Sequence, residues 1–222
     1  MPTDILAHAA YSTEFKFRLL LSFLTVTFLS GLYEYSREQF YNRTLELTKK
    51  YQQLAHFDPL TQLSNRRDAL GILKQEQARA ERNKEPFAII LCDVDHFKQI
   101  NDQYGHNAGD TVLVELAKIF SQNIREVDCV ARWGGEEFII LLNDVTAAQA
   151  EIVAERLRAR IVDHKTESET SSIRVTASFG IAQVTAQCSF ERVLSNADAA
   201  LYDAKASGRN SISLHTQIKL AA

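Results

Sequence analysis

Residues 130–142 read VARWGGEEFIILL, so two glycines and two glutamates separate two short apolar runs. This pattern predicts a strand, a tight turn and a second strand, because glycine tolerates the backbone conformations of tight turns. Glycine has no Cβ, so another backbone or a phosphate can approach Gly134 and Gly135 closely. Glu136 and Glu137 are then expected at the edge of a sheet, where carboxylates can bind a metal or take a proton. Taken alone, such a turn is more often simply solvated.

Two further strands are predicted on either side of this hairpin. Residues 87–93 read FAIILCD, a continuous apolar run that is typical of a central strand buried on both faces. Residues 173–184 alternate in part between apolar and polar side chains, which predicts one strand with Gly180 at a bulge or a close approach.

Helices are predicted between these strands. The apolar residues Leu113, Leu116 and Phe120 recur at helical spacing. Thr146 and Gln149 have the spacing of a capping box at the start of a helix through residue 161. A last helix is predicted over residues 190–207, ended by Gly208. The alternation predicts one α/β (α+β) domain over residues 57–216, with the hairpin in its middle.

The N-terminal region has a different composition. Residues 19–33 form an uncharged, mostly apolar run that we predict to be a transmembrane helix after a tail of residues 1–18. Its helical length of about 22 Å is short of a bilayer core of about 30 Å, unless Lys16 and Arg18 snorkel. A signal peptide and a buried or dimerising soluble helix are the alternatives. More Lys and Arg follow the run than precede it, which predicts a cytoplasmic C-terminal domain.

Residues 34–56 are polar but carry a seven-residue repeat. Tyr33, Phe40, Leu47 and Leu54 are spaced by seven, which predicts a short coiled coil between the span and the domain. An isolated amphipathic helix fits three heptads nearly as well. In either case the segment is predicted to be a rigid connector.

Overall composition excludes some classes of function. The net charge is −3 with both signs interspersed, which argues against a nucleic-acid partner. Cys92, Cys129 and Cys188 have no paired spacing, so a reducing compartment is expected and a zinc site is not.

Asp93-Val94-Asp95 follows the predicted central strand, at a position where α/β folds often place ligands. If the hairpin glutamates meet Asp93 on an adjacent strand, a carboxylate-lined site for Mg²⁺ results, completed by waters and phosphate oxygens. Two metals in such a site can clamp a phosphate and activate a hydroxyl. The alternative is that Asp93 and Asp95 only cap a loop.

Several separated motifs resemble those of the GGDEF family of diguanylate cyclases. In order, they are DPLTQLSNRR at 58–67, DVDHFK at 93–98 followed by Asn101-Asp102, GHNAGD at 105–110, RWGGEEF at 132–138, SFGIA at 178–182, and ADAALYDAK at 197–205 followed by GRN at 208–210. The resemblance covers about residues 56–214 and implies an adenylyl-cyclase or polymerase palm-like sheet with surrounding helices. One position departs from the family pattern: Gln62 stands where the family usually has glycine.

The resemblance implies that two GTP molecules condense into cyclic di-GMP within a homodimer, each subunit holding one GTP. Asp93 and the Val94 carbonyl are expected to bind Mg²⁺ together with Glu136 and Glu137. One glutamate is then a ligand, and the other is a ligand or the general base; the sequence leaves this division open. An active enzyme of this kind is expected in the bacterial inner membrane as a single-pass protein.

The same resemblance assigns the substrate contacts. Asn101 and Asp110 are expected to read the guanine edge, where a carboxylate accepts from N1–H and the amino group that adenine lacks. His106 contacts the base or holds its loop. Lys205 and Arg209 are expected to bind the triphosphate, although basic residues near a helix end are also favoured for electrostatic reasons alone. The amides of Gly134 and Gly135 can approach phosphate.

A regulatory site and alternative functions complete the predictions. Arg125 and Asp128 have the form and position of the family's RxxD site, which binds the product cyclic di-GMP and inhibits the enzyme. The main alternative is a catalytically silent GGDEF-type nucleotide receptor, although this chain keeps both hairpin glycines and both acids. Another nucleotidyl cyclase or polymerase palm is a third reading, against which Asp110 and the RxxD pattern argue.

Overall fold

The chain divides between Gln52 and Gln53 into two units. The structure, a computed structural model, describes residues 12–83, 85–167, 172–184 and 189–215, without the side chains of residues 49–55, 81 and 184. The predictions for residues 1–11, for Cys188 and for the side chain of Leu54 therefore fall outside the described part. The domain boundaries given above stay predictions.

The first unit contains most of one long helix, α1, which runs from Thr13 to His56. The predicted span and the predicted connector are thus parts of one uninterrupted helix. Its segment Thr13–Thr48 is long and apolar enough to cross a membrane, and the most apolar part of it is not buried. Signal sequences pass the same test of length and composition. The heptad residues Tyr33, Phe40 and Leu47 are all exposed.

The second unit is built on a six-stranded mixed sheet. The described strands are β1 (Ser64–Asn65), β2 (Phe87–Val94), β3 (Cys129–Arg132), β4 (Glu137–Asn143), β5 (Thr166–Glu167), β6 (Ser172–Ile173), β7 (Ala177–Val184) and β8 (Ile212–Leu214). The sheet order is β1-β3-β4-β2-β7-β8, and β5 and β6 pair separately. β3 and β4 form the predicted antiparallel hairpin around the two glycines. β2 lies between two antiparallel neighbours with all eight residues buried, which confirms it as the central strand.

Helices cover both faces of the sheet. They are α2 (Arg66–Asn83), α3 (Phe97–Tyr104), α4 (His106–Asn123), α5 (Ala147–Asp163) and α6 (Phe190–Ala206). Successive side chains of a strand point to opposite faces. Accordingly Ile90 and Cys92 pack with the apolar residues of α4 and α5, whereas Ile89 and Leu91 pack with those of α2 and α6. The mixed sheet, the surrounding helices and the long helix before them confirm the predicted fold class.

Local sequence signals explain how these helices begin and pack. Thr146 and Gln149 form the predicted capping box at the start of α5. A Cβ at Gly180 would collide with the backbone of Ala197 and Leu201, so glycine at this position lets α6 lie directly against β7. This confirms the predicted close approach. α6 ends at Ala206, one residue before the predicted end, and Gly208 follows with a φ of 110°.

One strand prediction is wrong. Residues 173–184 do not form one strand, because β6 ends at Ile173 and β7 begins at Ala177. The main chain between them is held by Asp95: its amide donates to the Thr176 carbonyl at 2.9 Å, and the Thr176 hydroxyl donates to its carboxylate at 2.6 Å. A buried carboxylate with these partners holds the break between the two strands, which residue alternation cannot reveal.

Candidate active site

Two carboxylates meet where β2 ends and β4 begins. Asp93 pairs in register with Glu137 across the antiparallel strands. Directly opposite residues in such a pair have Cβ atoms about 4.5–5.5 Å apart and lie on the same face of the sheet. The Val94 amide donates to the Glu136 carbonyl at 3.3 Å, which ties the hairpin turn to the end of β2. Glu136, Glu137 and the Asp93-Val94 pair are therefore brought together.

A lysine from α6 completes this cluster. Lys205 Nζ lies 2.7 Å from Asp93 Oδ2, and Asp93 is only 8% exposed. Burial raises the pKa of Asp93, and the opposing effect of the Lys205 ammonium does not cancel it. Burial also raises the pKa of Glu137, and the negative charge of Asp93 adds to that rise. The cluster thus holds more negative charge than its one lysine neutralises.

The donor set fits a hard cation such as Mg²⁺. Within the described residues, no three His, Cys, Asp or Glu side chains gather as a metal-binding group. The paired carboxylates of Asp93 and Glu137 still offer oxygen ligands, and Mg²⁺ usually takes one or two carboxylates and fills its other positions with waters and phosphate oxygens. The ammonium of Lys205 against Asp93 shows that this position already accepts a positive charge.

An arginine holds the turn between the hairpin strands. Arg132 donates from Nε and Nη2 to the Gly135 carbonyl at 3.1 and 2.8 Å, and from Nη1 to the Asp58 carboxylate at 3.1 Å. Burial alone raises the pKa of Asp58, but hydrogen bonds from Thr61 and the Arg132 charge hold it below its usual value. Sequence reasoning assigned no role to Arg132 or Asp58. The two residues are 74 positions apart, so the sequence gives no sign that they are in contact. The only signal was that each begins one of the motifs shared with the GGDEF family.

The two hairpin glycines have different surroundings. Neither has a φ in the left-handed region, so the turn does not depend on that freedom. A Cβ on Gly134 would lie 2.9 Å from Glu137 Oε2, whereas a Cβ on Gly135 would meet nothing within 4 Å. Gly134 therefore leaves room for the Glu137 carboxylate, and Gly135 leaves open space above the turn.

The predicted guanine-reading residues lie on α3 and α4. These helices meet at Gly105, which has a φ of 86°, and His106 is the exposed first residue of α4. A Cβ on Gly109 would collide with the Asn101 carboxamide, so the absence of a side chain there lets Asn101 lie against α4. Asp110 is the next residue and is exposed. The side chain of Asn101 therefore packs against Gly109, the residue that precedes Asp110 in the chain.

Arg209 follows α6 in a tightly hydrogen-bonded C-terminal turn. The Arg209 amide donates to the Ala204 carbonyl at 3.2 Å and the Gly208 amide to the Lys205 carbonyl at 3.4 Å, the pattern of a Schellman motif. Lys205 lies in the last helical turn, and Arg209 is exposed beyond it. Both cations are thus carried by the same end of α6, and the charge of Arg209 acts on Asp93.

Asp95 has a different environment from Asp93. It is 4% exposed and accepts hydrogen bonds from the hydroxyls of Thr176 and Ser178 and from the Asn210 amide. The sequence left open whether Asp95 lines a metal site or only caps a loop. Its hydrogen bonds to Thr176, Ser178 and Asn210 are those of a loop anchor.

The predicted product site borders a separate cleft. Arg125 and Asp128 line a cleft of about 330 Å³ together with Arg156 of α5. The Asp128 carboxylate accepts hydrogen bonds from the backbone amides of Arg125 at 3.2 Å and Asn143 at 3.0 Å. It therefore also fixes the turn before β3. Sequence reasoning missed Arg156, because nothing in the spacing of α5 singles it out.

Comparison with known proteins agrees with this fold. The family profile described as "Diguanylate cyclase, GGDEF domain" matches residues 55–211. Diguanylate cyclase DosC of Escherichia coli K12 is 40% identical over 158 residues, which cover 71% of this chain and 34% of DosC. The structure of the coiled coil and GGDEF domain of DgcB from Caulobacter crescentus, in complex with c-di-GMP, matches with a TM-score of 0.76 at 27% identity, over 85% of this chain and 99% of that chain.

A second solved structure shares the hairpin motif. The active GGEEF domain of a diguanylate cyclase from Vibrio cholerae is 36% identical with a TM-score of 0.66, over 70% of this chain and 99% of that one. This chain belongs to the GGDEF-domain diguanylate cyclase family. It spans about a third of the length of DosC.

Proposed function

We propose that this chain is a diguanylate cyclase, which converts two GTP molecules into cyclic di-GMP and two pyrophosphates. Each ribose 3′-hydroxyl attacks the α-phosphate of the other GTP, so two phosphodiester bonds form and two α–β phosphoanhydride bonds break. The observation that carries this proposal is the register pair of Asp93 and Glu137 beside Lys205, on a sheet of the GGDEF family.

Asp93 and Glu137 are the proposed Mg²⁺ ligands, with the Val94 carbonyl as a further oxygen donor. Their excess negative charge and raised pKa values support a cation at this position. Bound Mg²⁺ would offset charge on the phosphates and lower the pKa of the attacking hydroxyl. Because Glu137 faces Asp93 directly, we assign these two carboxylates as ligands of the same Mg²⁺. Glu136 is then free to accept the proton of the attacking hydroxyl.

Binding of GTP is proposed to use the two groups of residues described above. Asn101 and Asp110 bind the guanine edge, with His106 at the start of the same helix. Lys205 and Arg209 bind the triphosphate from the end of α6, and the open space at Gly135 admits a phosphate close to the turn. A carboxylate at Asp110 favours guanine, because adenine would leave it without a donor at N1.

Homodimer formation follows from the reaction, since each GTP supplies both a nucleophile and an electrophile. We propose that the exposed heptad residues of α1 pair with those of a second copy. Light scattering in detergent should give a dimer mass. Replacing Phe40 and Leu47 by Asp should give monomers that retain GTP binding but make no cyclic di-GMP; an active monomer would contradict this.

A single-pass membrane anchor is proposed for the segment of α1 before the heptads, with the cyclase unit in the cytoplasm of a bacterial cell. The exposed apolar surface of Thr13–Thr48 supports this. Membranes washed with alkaline carbonate should retain the chain, and protease should reach the cyclase unit only from the cytoplasmic side. Release by carbonate would contradict the anchor.

Product inhibition is proposed for the cleft lined by Arg125, Asp128 and Arg156. Arginine guanidinium groups stack on and pair with guanine, and they also bind phosphate. Arg125→Ala should weaken inhibition by added cyclic di-GMP at least tenfold and leave the initial rate unchanged within about twofold. Because Asp128 also fixes a turn, Asp128→Ala is expected to lower stability as well.

Purified chain with GTP and Mg²⁺ tests the enzymatic proposal directly. Cyclic di-GMP and pyrophosphate in a 1:2 ratio support it. GTP binding without turnover in a proven dimer would favour the nucleotide receptor instead.

A further inference from the structure

The loop that carries Arg209 has an unusual backbone. Gly208, Arg209 and Asn210 have successive φ values of 110°, 62° and 44°. Left-handed conformations are strained for residues other than glycine, and they persist only where the surrounding structure holds them. Two such residues in a row, one of them a proposed triphosphate ligand, indicate that this loop is fixed from outside.

One of the groups that hold it is the buried carboxylate of Asp95. Asp95 Oδ2 accepts the Asn210 amide at 2.9 Å, and its other contacts are the hydroxyls of Ser178 and Thr176. Asp95 lies two residues after Asp93. The loop that carries Arg209 is therefore attached to the same strand end that carries the proposed metal ligand.

The other group is the guanidinium of Arg158, from α5. Arg158 Nη1 donates to Asn210 Oδ1 at 2.9 Å and lies 3.4 Å from the Asn210 carbonyl oxygen. The other edge of the guanidinium donates to the exposed Glu155 carboxylate at 2.9 and 2.7 Å, so the contacts to Asn210 come from a separate nitrogen. Asn210 is thus held on its amide by Asp95 and on its side chain by Arg158.

We propose that Asp95 and Arg158 are positioning residues for GTP: by clamping Asn210, they hold Arg209 in place for the triphosphate. This rests on the proposed function, because it assigns Arg209 to GTP. Neither residue is required to touch the nucleotide. A free loop would have to be ordered each time GTP binds, and that ordering would weaken binding.

The test variant is Arg158→Ala, with Glu155→Gln as a matched control on the same helix. Arg158→Ala removes the hydrogen bonds to Asn210, whereas Glu155→Gln alters only the exposed partner of Arg158. We expect Arg158→Ala to raise KM for GTP about three- to tenfold with kcat within about twofold, as loss of one or two hydrogen bonds predicts. Arg158→Lys should recover part of the loss, and Glu155→Gln should stay within about twofold of wild type.

Two further readouts separate positioning from general weakening of the fold. In an Arg209→Ala background, Arg158→Ala should add no further rise in KM, because both changes remove the same interaction. Fluorescence of Trp133, the chain's single tryptophan, should report weaker binding of GTP but unchanged binding of GMP. Additive losses, equal losses for GTP and GMP, or an unchanged KM in Arg158→Ala would each overturn the proposal.

Amide hydrogen exchange keeps this test independent of enzymatic activity. The Asn210 amide should be protected in the wild type and should exchange at least tenfold faster in Arg158→Ala, with exchange in β2 unchanged. Equal protection in both would overturn the clamp even if the chain makes cyclic di-GMP. Failure of wild type to bind or convert GTP would instead overturn the proposed function.

Discussion

Lys205 Nζ lies 2.7 Å from Asp93 Oδ2, so a proposed phosphate ligand is paired with a proposed metal ligand. The ammonium lowers the pKa of Asp93, against the larger effect of burial. Lys205 therefore helps to keep Asp93 ionised while the site holds no other cation. Two properties of the enzyme should depend on this one contact: the affinity for GTP and the acid side of the pH profile.

Replacing Lys205 tests both properties. Lys205→Met removes the charge, so the pKa of Asp93 rises further and the acid limb of kcat/KM should move to higher pH. KM for GTP should rise about tenfold, since a charge-assisted contact to phosphate is lost. Lys205→Arg is the control and should keep the acid limb near its wild-type position. An acid limb that does not move in Lys205→Met would contradict the role given to this contact.

Glu137→Gln should stop synthesis and stabilise the unliganded protein. The pKa of Glu137 is raised in the folded state, so its ionisation disfavours folding as pH rises through that value. Glutamine removes this cost, so the melting temperature at pH 7 should rise. The rise should shrink as pH falls and vanish below the ordinary Glu pKa of 4.5, where the wild-type carboxyl is neutral in the folded and the unfolded chain.

The rate of cyclic di-GMP formation and thermal melts at several pH values check this prediction. Synthesis should fall at least about 100-fold, because an amide is a weaker ligand than a carboxylate for the proposed Mg²⁺, whose charge stabilisation contributes several kcal/mol. A variant that melts lower than wild type at pH 7, with Mg²⁺ and nucleotide absent, would show that Glu137 stabilises the fold instead.

The hairpin glycines allow a matched comparison. Alanine at Gly134 would crowd Glu137 Oε2, whereas alanine at Gly135 would enter open space. Gly134→Ala should therefore lower kcat at least about tenfold by displacing Glu137, with little loss of stability because a flexible side chain can move. Gly135→Ala should act mainly on KM, by obstructing phosphate. Steady-state kinetics separate the two, and equal kcat losses would contradict this difference in role.

Gln62 shows the structural reason for the family's glycine at this position. Its φ is 59°, and its side chain donates to the Pro59 carbonyl at 2.9 Å. A left-handed backbone costs a residue with a Cβ about 1–2 kcal/mol. Glycine avoids this strain, but it loses more conformational entropy on folding, which offsets part of the gain in stability. We expect Gln62→Gly to stabilise by up to about 1 kcal/mol, Gln62→Ala to be near neutral, and Gln62→Val to destabilise by more than about 1 kcal/mol.

Chemical denaturation of the three variants measures this order. Activity should be unchanged in all of them at a temperature where each is folded, because Gln62 bonds only main-chain carbonyls of Asp58 and Pro59 among the contacts described, and the Asp58 carboxylate still accepts from Arg132. Valine as stable as glycine at this position would contradict the proposed backbone strain.

Much of the fold was predictable from local sequence signals. The apolar run of residues 87–93 predicted the buried central strand. The spacing of Thr146 and Gln149 predicted the capping box of α5, and Gly208 predicted where α6 ends. These features depend on a few neighbouring residues and on general backbone preferences. The glycine at position 180 could likewise be expected to mark a close approach, although not the helix that approaches it.

Contacts between distant residues were not predictable in the same way. Asp95 breaks the strand predicted over residues 173–184, and Arg132 joins Asp58 to the hairpin turn. Arg158 clamps a loop 52 residues away. Each is a polar side chain whose partner is set by how the sheet and helices pack, and one sequence carries no periodic signal for such pairs.

The product formed from GTP tests the central claim most directly. The purified chain, shown to be dimeric in detergent, is incubated with GTP and Mg²⁺ beside Glu137→Gln, and mass spectrometry identifies the nucleotide. We predict cyclic di-GMP with two pyrophosphates per molecule from wild type and none from the variant. Unconverted GTP in a wild-type dimer whose Trp133 fluorescence reports GTP binding would contradict it.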